Sequence, residues 1–411
     1  MPRRRIVAAL AAMFGGQLAT RLLGLVVTAL VLRSVPVEAM GEFGAATAWL
    51  GYGVMFVQLG HMPALVHLAQ NGAETDIARV IAWRVSAAVF IGLAAVVAVL
   101  VFSPFPNLGP TAALFGLVLL LNALAFDWQL AADHRFVALS RIQITSQLVA
   151  VIAAAVCYAT GWPGALVLMQ LAVSGSLCAG IGAAVGGRRF ASVVRRALAR
   201  NLLRPRSFVA VITRNWAFTL IALVQALAVN LDLVLADLFL SPRELGELTV
   251  INRIALALFG VQAILNLVLY SYLLQGSVGR FSTVGLGLLS GVTVAALVFA
   301  VPGSVLTIVA GGDYSYLGFE LRLACLGLIT GSLFNAMVTL AQHAAATADR
   351  VEPNRLVLVA GAAACLLPAA FFGISHGVPG LIIFGAVKFA LLALALWGVT
   401  SGWMSSRPVQ K

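Results

Sequence analysis

Eight side chains stand out because they place chemistry inside runs that are otherwise apolar. Arg21, Arg214, Arg253 and Lys388 are cations, Asp127 and Asp232 are carboxylates, and Gln17 and Gln225 are neutral hydrogen-bonding groups. An ionisable group within a membrane segment is expensive at any depth, so it marks a cavity, a pathway or an internal pair. Residues 230–253, NLDLVLADLFLSPRELGELTVINR, show the pattern in miniature. Asp232 sits in one apolar run, the chain turns through Ser241 to Gly246, and a second run carries Asn252 and Arg253.

Spacing groups these residues further. Arg214, Gln225 and Asp232 are eleven and eighteen positions apart, which at 3.6 residues per turn puts them within about 20° on one helix face, the arrangement of a stripe lining a pathway. Gln17 and Arg21 share a face with Gly24 and Thr28, and Gln143 and Gln147 lie one turn apart. Asn122 and Gln129 are seven apart, again on one face, with Asp127 nearby. Arg21 either contacts a substrate or pairs with Asp127 or Asp232. Asp232 is either an ion-coupling carboxylate, as Asp127 is also expected to be, or the partner of Arg253 or Arg21. Arg253 has Glu247 or Asp232 as possible partners. Lys388 stands alone in an apolar helix at a depth where snorkelling to the surface is costly.

The elements that position these groups follow from composition. With 62% hydrophobic and 10% charged residues and a mean hydropathy of +1.03, the chain is far from a soluble protein, whose charged share is about 25%. Apolar runs long enough to cross a hydrocarbon core of about 30 Å recur along the whole length. Twelve are expected, at about 6–32, 42–68, 79–103, 111–130, a fifth carrying Gln143 and Gln147, 164–185, 208–240, 247–274, 283–301, 319–343, 356–373 and 380–402. Period-two alternation is lacking, which excludes a β-barrel. Arg3 to Arg5 before an apolar run resemble a signal peptide, but the run is too long, and an uncleaved first span is expected.

The net charge of +12 comes from 24 Arg and 2 Lys against 14 acids. The Arg residues lie on short connections between spans, which points to topology and not to nucleic acid. The most basic connection, 186–206, holds seven Arg and no acid. It reads as a topology signal resting on anionic membrane lipids, or as a docking site for a cytoplasmic partner. The distribution predicts cytoplasmic N- and C-termini. The four cysteines fall within spans at no disulfide or metal spacing and read as packing residues. There is no metal-ligand spacing and no Gly-rich phosphate loop with Lys, so neither a metal nor a cofactor is expected. An ion gradient or the substrate gradient would supply the energy.

An internal match supports a doubled architecture. Aligning Gly41 with Gly246 lays VPVEAMGEF over LSPRELGEL, with Glu42 over Glu247, half a chain length apart. Six spans separate the copies. The expectation is therefore an all-α polytopic membrane protein of about twelve helices in two six-helix lobes, related by a pseudo-twofold along the membrane normal. The lobes are expected at 1–185 and 207–411, joined by the basic connection 186–206.

These residues resemble the oligosaccharide or polysaccharide flippases of the multidrug/oligosaccharidyl-lipid/polysaccharide exporter superfamily. The likeness rests on Arg21-Leu22-Leu23-Gly24, Val31-Leu32, the Gly41-Glu42-Phe43-Gly44 turn, and Gln58-Leu59-Gly60-His61 with Pro63 and Ala64. It continues in Asn230-Leu231-Asp232, Leu245-Gly246 and Ile251-Asn252-Arg253-Ile254. Topology matches along the whole chain, while the motifs cover about sixty residues and rest on order and spacing. Leu248 replaces the family's Tyr, Ile251 its Ala, and the proline that commonly ends span eight is absent from 270–274. Those departures leave the exact substrate open.

The resemblance implies a transporter of the bacterial cytoplasmic (inner) membrane. It would move a polyprenyl-pyrophosphate-linked oligosaccharide from the inner to the outer leaflet by alternating access, for surface polysaccharide synthesis. A pyrophosphate crossing a low-dielectric region calls for fixed cations near the midplane, and Arg21 and Lys388 fit best. The same resemblance favours a cavity role for Arg253. Partners would be the lipid-linked oligosaccharide, membrane lipids, and a polysaccharide polymerase or glycosyltransferase; nucleic acid is not expected. The competing readings are a lipid II or multidrug exporter of the same superfamily and, from another class, a membrane-embedded glycosyltransferase or polysaccharide polymerase. The short outer loops argue against the last.

Overall fold

The computed structural model describes residues 3–58, 65, 68–69, 74–133, 135–186, 191–192, 195, 199, 213, 216–274, 280–347 and 356–405. Among them the secondary structure is helical throughout. A backbone in lipid has to satisfy its own hydrogen bonds, and a helix does so within one segment. The chain divides into two compact units, Met1–Leu223 and Val224–Lys411.

The first unit contains α1 (Arg3–Leu32), α2 (Val37–Gln58) and α3 (Glu74–Phe102), then a 3₁₀ turn (Gly109–Leu114) leading into α4 (Phe115–Ala123). It continues through α5 (Asp127–Ala132), α6 (Phe136–Thr160) and α7 (Ala165–Val185). Here α1 packs on α6, α6 on α7, and α3 on α4. The α3–α4 backbones meet at Gly92 and Gly116, where a Cβ on Gly116 would lie 2.8 Å from the Gly92 carbonyl oxygen. Only a missing side chain permits that approach, and close backbone packing is how helices associate in lipid. Outward faces are apolar: Phe90, Leu93, Val97, Leu100 and Phe102 of α3 are all exposed, as a lipid-facing helix requires.

The second unit begins within α8 (Trp216–Phe239) and adds α9 (Pro242–Leu274), α10 (Arg280–Ala300), the short α11 (Pro302–Val309) and a 3₁₀ turn (Gly312–Leu317). Then come α12 (Gly318–Thr347), α13 (Leu356–Ser375) and α14 (Gly377–Ser405). α12 is central, packing against α9, α10 and α14, while α13 lies on α14. All twelve expected spans fall on described helices. Eight described helical segments meet a length and hydropathy criterion for crossing a membrane. α2 and α9 are not among those eight, their runs being interrupted by charged and polar residues, and α1 and α13 contribute the shorter apolar stretches Leu22–Leu32 and Cys365–Ser375.

The fourth expected span departs from its reading. It is not one helix but the 3₁₀ turn, α4 and α5, with the chain unwound at Leu124–Phe126. No Pro or Gly marks this break. Phe126 and Trp128 both turn into the core, with rings 5.4 Å apart, among Ile77, Val80, Ile81 and Ile181. A continuous helix cannot send residues i and i+2 to the same side, so burying both aromatic rings ends α4.

The aligned glutamates of the sequence match make equivalent contacts. Glu42 of α2 accepts hydrogen bonds from the Asn107 backbone N–H (2.9 Å), the Asn107 side-chain amide (2.7 Å) and the Leu108 N–H (3.3 Å). Glu247 of α9 accepts from the Tyr316 hydroxyl (2.8 Å) and lies 3.4 Å from the Arg243 Nε. Each carboxylate thus ties the second helix of its set to the 3₁₀ turn region before the fourth. Glu42→Ala removes the acceptor of three N–H donors, two of them on exposed Asn107 and open to water, and is expected to cost about 0.5–1.5 kcal/mol. Glu42→Gln, which keeps a carbonyl acceptor, should cost less, both read as thermal unfolding of the purified protein.

Candidate functional site

In the first unit, polar side chains from six helices converge on a cleft of 270 Å³. Thr20 of α1, Gln58 of α2, Asn122 of α4, Asp127 of α5, Gln143, Ser146 and Gln147 of α6, and Ser174 of α7 line it. The cleft exists because α4 stops. Unwinding at Leu124–Phe126 brings Asp127 to the start of α5, where a carboxylate suits the positive end of a helix. The carbonyls released by the break are not left bare. Arg84 Nη2 donates to the Asn122 carbonyl at 2.7 Å, and the Cys178 thiol lies 3.9 Å from the Leu124 carbonyl.

Arg84 is the residue that sequence reading missed. It lies ten residues into α3, is only 4% exposed, and its charge acts on Asp127. The signal was available, an Arg deep in an apolar helix, but beginning the span at Arg79 made Arg84 look like part of its polar end. Asp127 is expected from the sequence to couple an ion or to be one of two possible partners of Arg21; among the described residues Arg84 is the counter-charge that acts on it. The paired reading of Asn122 and Gln129 also changes. Asn122 lines the cleft, whereas Gln129 lies beyond the break, buried, and donates to Asp133 at 3.0 Å. The Gln143 and Gln147 stripe does face a polar cleft.

Chemically, the cleft combines amides that donate and accept, hydroxyls that do both, and one carboxylate balanced by one guanidinium behind it. The buried Ser146 hydroxyl has no partner. Such a lining suits a neutral, hydroxyl-rich ligand better than a bare anion.

In the second unit, Asp232 of α8 and Lys388 of α14 meet in the interior. Lys388 Nζ lies 3.2 Å from Asp232 Oδ1, and Lys388 is 0% exposed. Asn252 of α9 donates to Asp232 Oδ2 at 3.5 Å, and the Leu233 N–H to Oδ1 at 3.1 Å. The Phe384 and Phe389 rings lie 5.7 and 5.4 Å from Nζ, within cation–π range. One expectation is corrected here: Lys388 does not stand alone, and among the described residues it is a cationic partner of Asp232. Both charges sit inside their helices away from the ends, where the attraction between them offsets the desolvation cost of each.

The other expected site residues are placed as follows. Gln225 is half-buried on α8, two turns before Asp232, and Arg253 is half-buried on α9 beside Asn252. Glu247, one of the partners considered for Arg253, is engaged by Arg243 and Tyr316. Arg21 and Gln17 lie on α1, but their side chains are outside the described residues, as are Arg214, His61, His67 and most of the basic connection 186–206.

Residues 6–276 match the family model described as "Polysaccharide biosynthesis protein". The chain belongs to this family. A search of curated proteins returns no match. Among solved structures, this polysaccharide biosynthesis protein is similar to the lipid II flippase MurJ in an inward closed conformation, with a TM-score of 0.62 and 13% identity over 97% of this chain and 88% of that one. It is also similar to a multidrug resistance MATE family transporter of the MOP superfamily in two states. The inward-facing form has a TM-score of 0.56 at 13% identity, covering 96% of each chain. The outward-facing form has a TM-score of 0.53 at 14% identity, covering 99% of this chain and 97% of that one. Identities this low establish the fold, an all-helical transporter fold, and nothing about the cargo.

Proposed function

We propose that this family member is a flippase that moves a polyprenyl-pyrophosphate-linked oligosaccharide from the cytoplasmic to the outer leaflet of the bacterial cytoplasmic membrane. It works by alternating access, with both termini cytoplasmic and with 1–185 and 207–411 as its two lobes. The observation that carries this reading is the neutral cleft of amides and hydroxyls in the first unit, in a chain whose family is concerned with polysaccharide synthesis. A glycan offers hydroxyls that such groups can match one for one. The pyrophosphate requires separate cations, and Arg21, Arg214 and Arg253, with Gln17 and Gln225 beside them, are assigned to it. Asp127 and Asp232 remain the carboxylates through which an ion gradient can act. Lys388 reaches the phosphate only if it leaves Asp232.

The test is transport. Purified full-length protein in liposomes should carry a labelled polyprenyl-pyrophosphate oligosaccharide across the bilayer. Arg21→Ala removes a charge-assisted contact worth about 1.5–3 kcal/mol and should slow transport roughly 10- to 100-fold. Unchanged transport in Arg21→Ala would end the cationic reading. Lipid II, named for the flippase of similar fold, is the competing cargo and belongs in the same assay.

A further inference from the structure

The cleft in the first unit has a hydrogen-bond polarity that its residue types alone do not reveal. The Thr20 hydroxyl donates its hydrogen to the Gly16 carbonyl at 2.8 Å, so towards the cleft it can only accept. Asn122 turns its amide nitrogen back to the Val118 carbonyl at 2.9 Å, which leaves the amide oxygen as its acceptor. Asp127, one oxygen of which takes the Trp128 N–H at 3.0 Å, is acceptor-only as a carboxylate. Arg84, the charge that acts on it, is committed to the Asn122 backbone carbonyl at 2.7 Å, and the described lining contains no cation. Among these acceptors lies the Ser146 hydroxyl, on a residue only 2% exposed, which lines the cleft and has no partner among the described residues. A buried hydroxyl without a partner costs free energy, and a ligand that meets it recovers that cost.

We infer that this cleft seats one uncharged sugar ring, which donates hydroxyl hydrogens to Thr20, Asn122 and Asp127, and that Asp127 excludes a ring carrying a carboxylate. The inference rests on the flippase reading and narrows the glycan that the protein would carry. A volume of 270 Å³ falls just below the roughly 300–1,000 Å³ of sites for drug-sized ligands, enough for a single ring and not for an oligosaccharide. Each sugar hydroxyl both donates and accepts, so it can answer an acceptor with its hydrogen and Ser146 with either atom. A uronate brings a group that only accepts to three acceptors. It also brings a second negative charge beside Asp127, where water screens it poorly. Discrimination of that kind comes from the repulsive contact as much as from the matched ones.

Soluble methyl glycosides test it on the purified full-length protein, with binding read from the concentration dependence of the melting temperature. The probes are the methyl glycosides of glucose, galactose, mannose and N-acetylglucosamine, set against the sodium salt of methyl glucuronide, all at equal ionic strength. At least one neutral glycoside should raise the wild-type melting temperature saturably, and methyl glucuronide should bind roughly tenfold more weakly or not at all. Ser146→Ala should weaken the neutral glycoside roughly 2- to 10-fold, whereas general stabilisation by an excluded sugar would be the same in both proteins. Asp127→Asn should narrow the gap between neutral and acidic probes. Asp127→Asn/Arg84→Met, which removes both charges, is measured alongside, so that a folding failure of the single variant does not decide the outcome. A wild type that binds methyl glucuronide as well as the neutral probes would overturn the inference, as would the lack of any glycoside response that Ser146→Ala diminishes. So would a folded Asp127 variant with an unchanged gap. Failure of the flippase reading shows instead in the liposome assay, as a labelled lipid-linked oligosaccharide that does not cross.

Discussion

Lys388→Ala and Asp232→Ala are each expected to destabilise the protein by about 3–5 kcal/mol, the cost of leaving one buried charge without its partner. The double variant Asp232→Leu/Lys388→Met should recover most of that loss. The asymmetry follows from where the energy resides. Lys388 is wholly enclosed, so both desolvation costs are already incurred in the folded state, and the attraction at 3.2 Å offsets them. Deleting one partner removes the attraction and retains the other group's penalty, while deleting both removes attraction and penalties together. Unfolding midpoints of wild type, Asp232→Leu, Lys388→Met and the double variant close a double-mutant cycle, and a coupling below about 0.5 kcal/mol would show that the pair contributes little. Transport by the double variant then separates two roles. A stable, inactive double variant places the pair in the transport cycle; a stable, active one makes it architectural.

Arg84→Met should have an effect of similar size for a different reason. The guanidinium caps the Asn122 carbonyl at the break between α4 and α5 and balances Asp127 across the cleft. Its loss removes the shorter of two hydrogen bonds to that carbonyl, the Ala125 N–H remaining at 3.3 Å, and leaves the Asp127 carboxylate uncompensated. Arg84→Lys retains charge but not the planar fork and should recover only part. Asp127→Asn in the Arg84→Met background should restore stability by removing the orphaned charge. If Arg84→Met unfolds at the wild-type temperature, the guanidinium does not hold the break. A variant that folds after this double change but no longer transports would assign the Arg84–Asp127 charges to function directly.

Much of the architecture was legible because lipid imposes a one-dimensional constraint. A helix that must cross about 30 Å of hydrocarbon writes its length into the sequence as an apolar run, and twelve such runs fall on described helices. The expected repeat rests on one turn, and in the structure each of its aligned glutamates, Glu42 and Glu247, ties down the approach to a later helix. The presence of charge within the helical interior was legible for the same reason, since Asp127, Asp232 and Lys388 stand out against apolar neighbours.

What the sequence by itself determined was therefore the class of protein, the places of its apolar helices, and which charges lipid could not tolerate unpaired. Tertiary structure alone decided which charge answers which. Asp232 and Lys388 are 156 positions apart, and a helix face read at 3.6 residues per turn shows which way each points, never which helix it meets. Structure alone also decided that the fourth span breaks at Leu124–Phe126. That break has no Pro or Gly to announce it, because its cause is the joint burial of Phe126 and Trp128 against side chains of other helices. Periodicity belongs to a single helix, and both the ion pair and the cleft are properties of helices in contact.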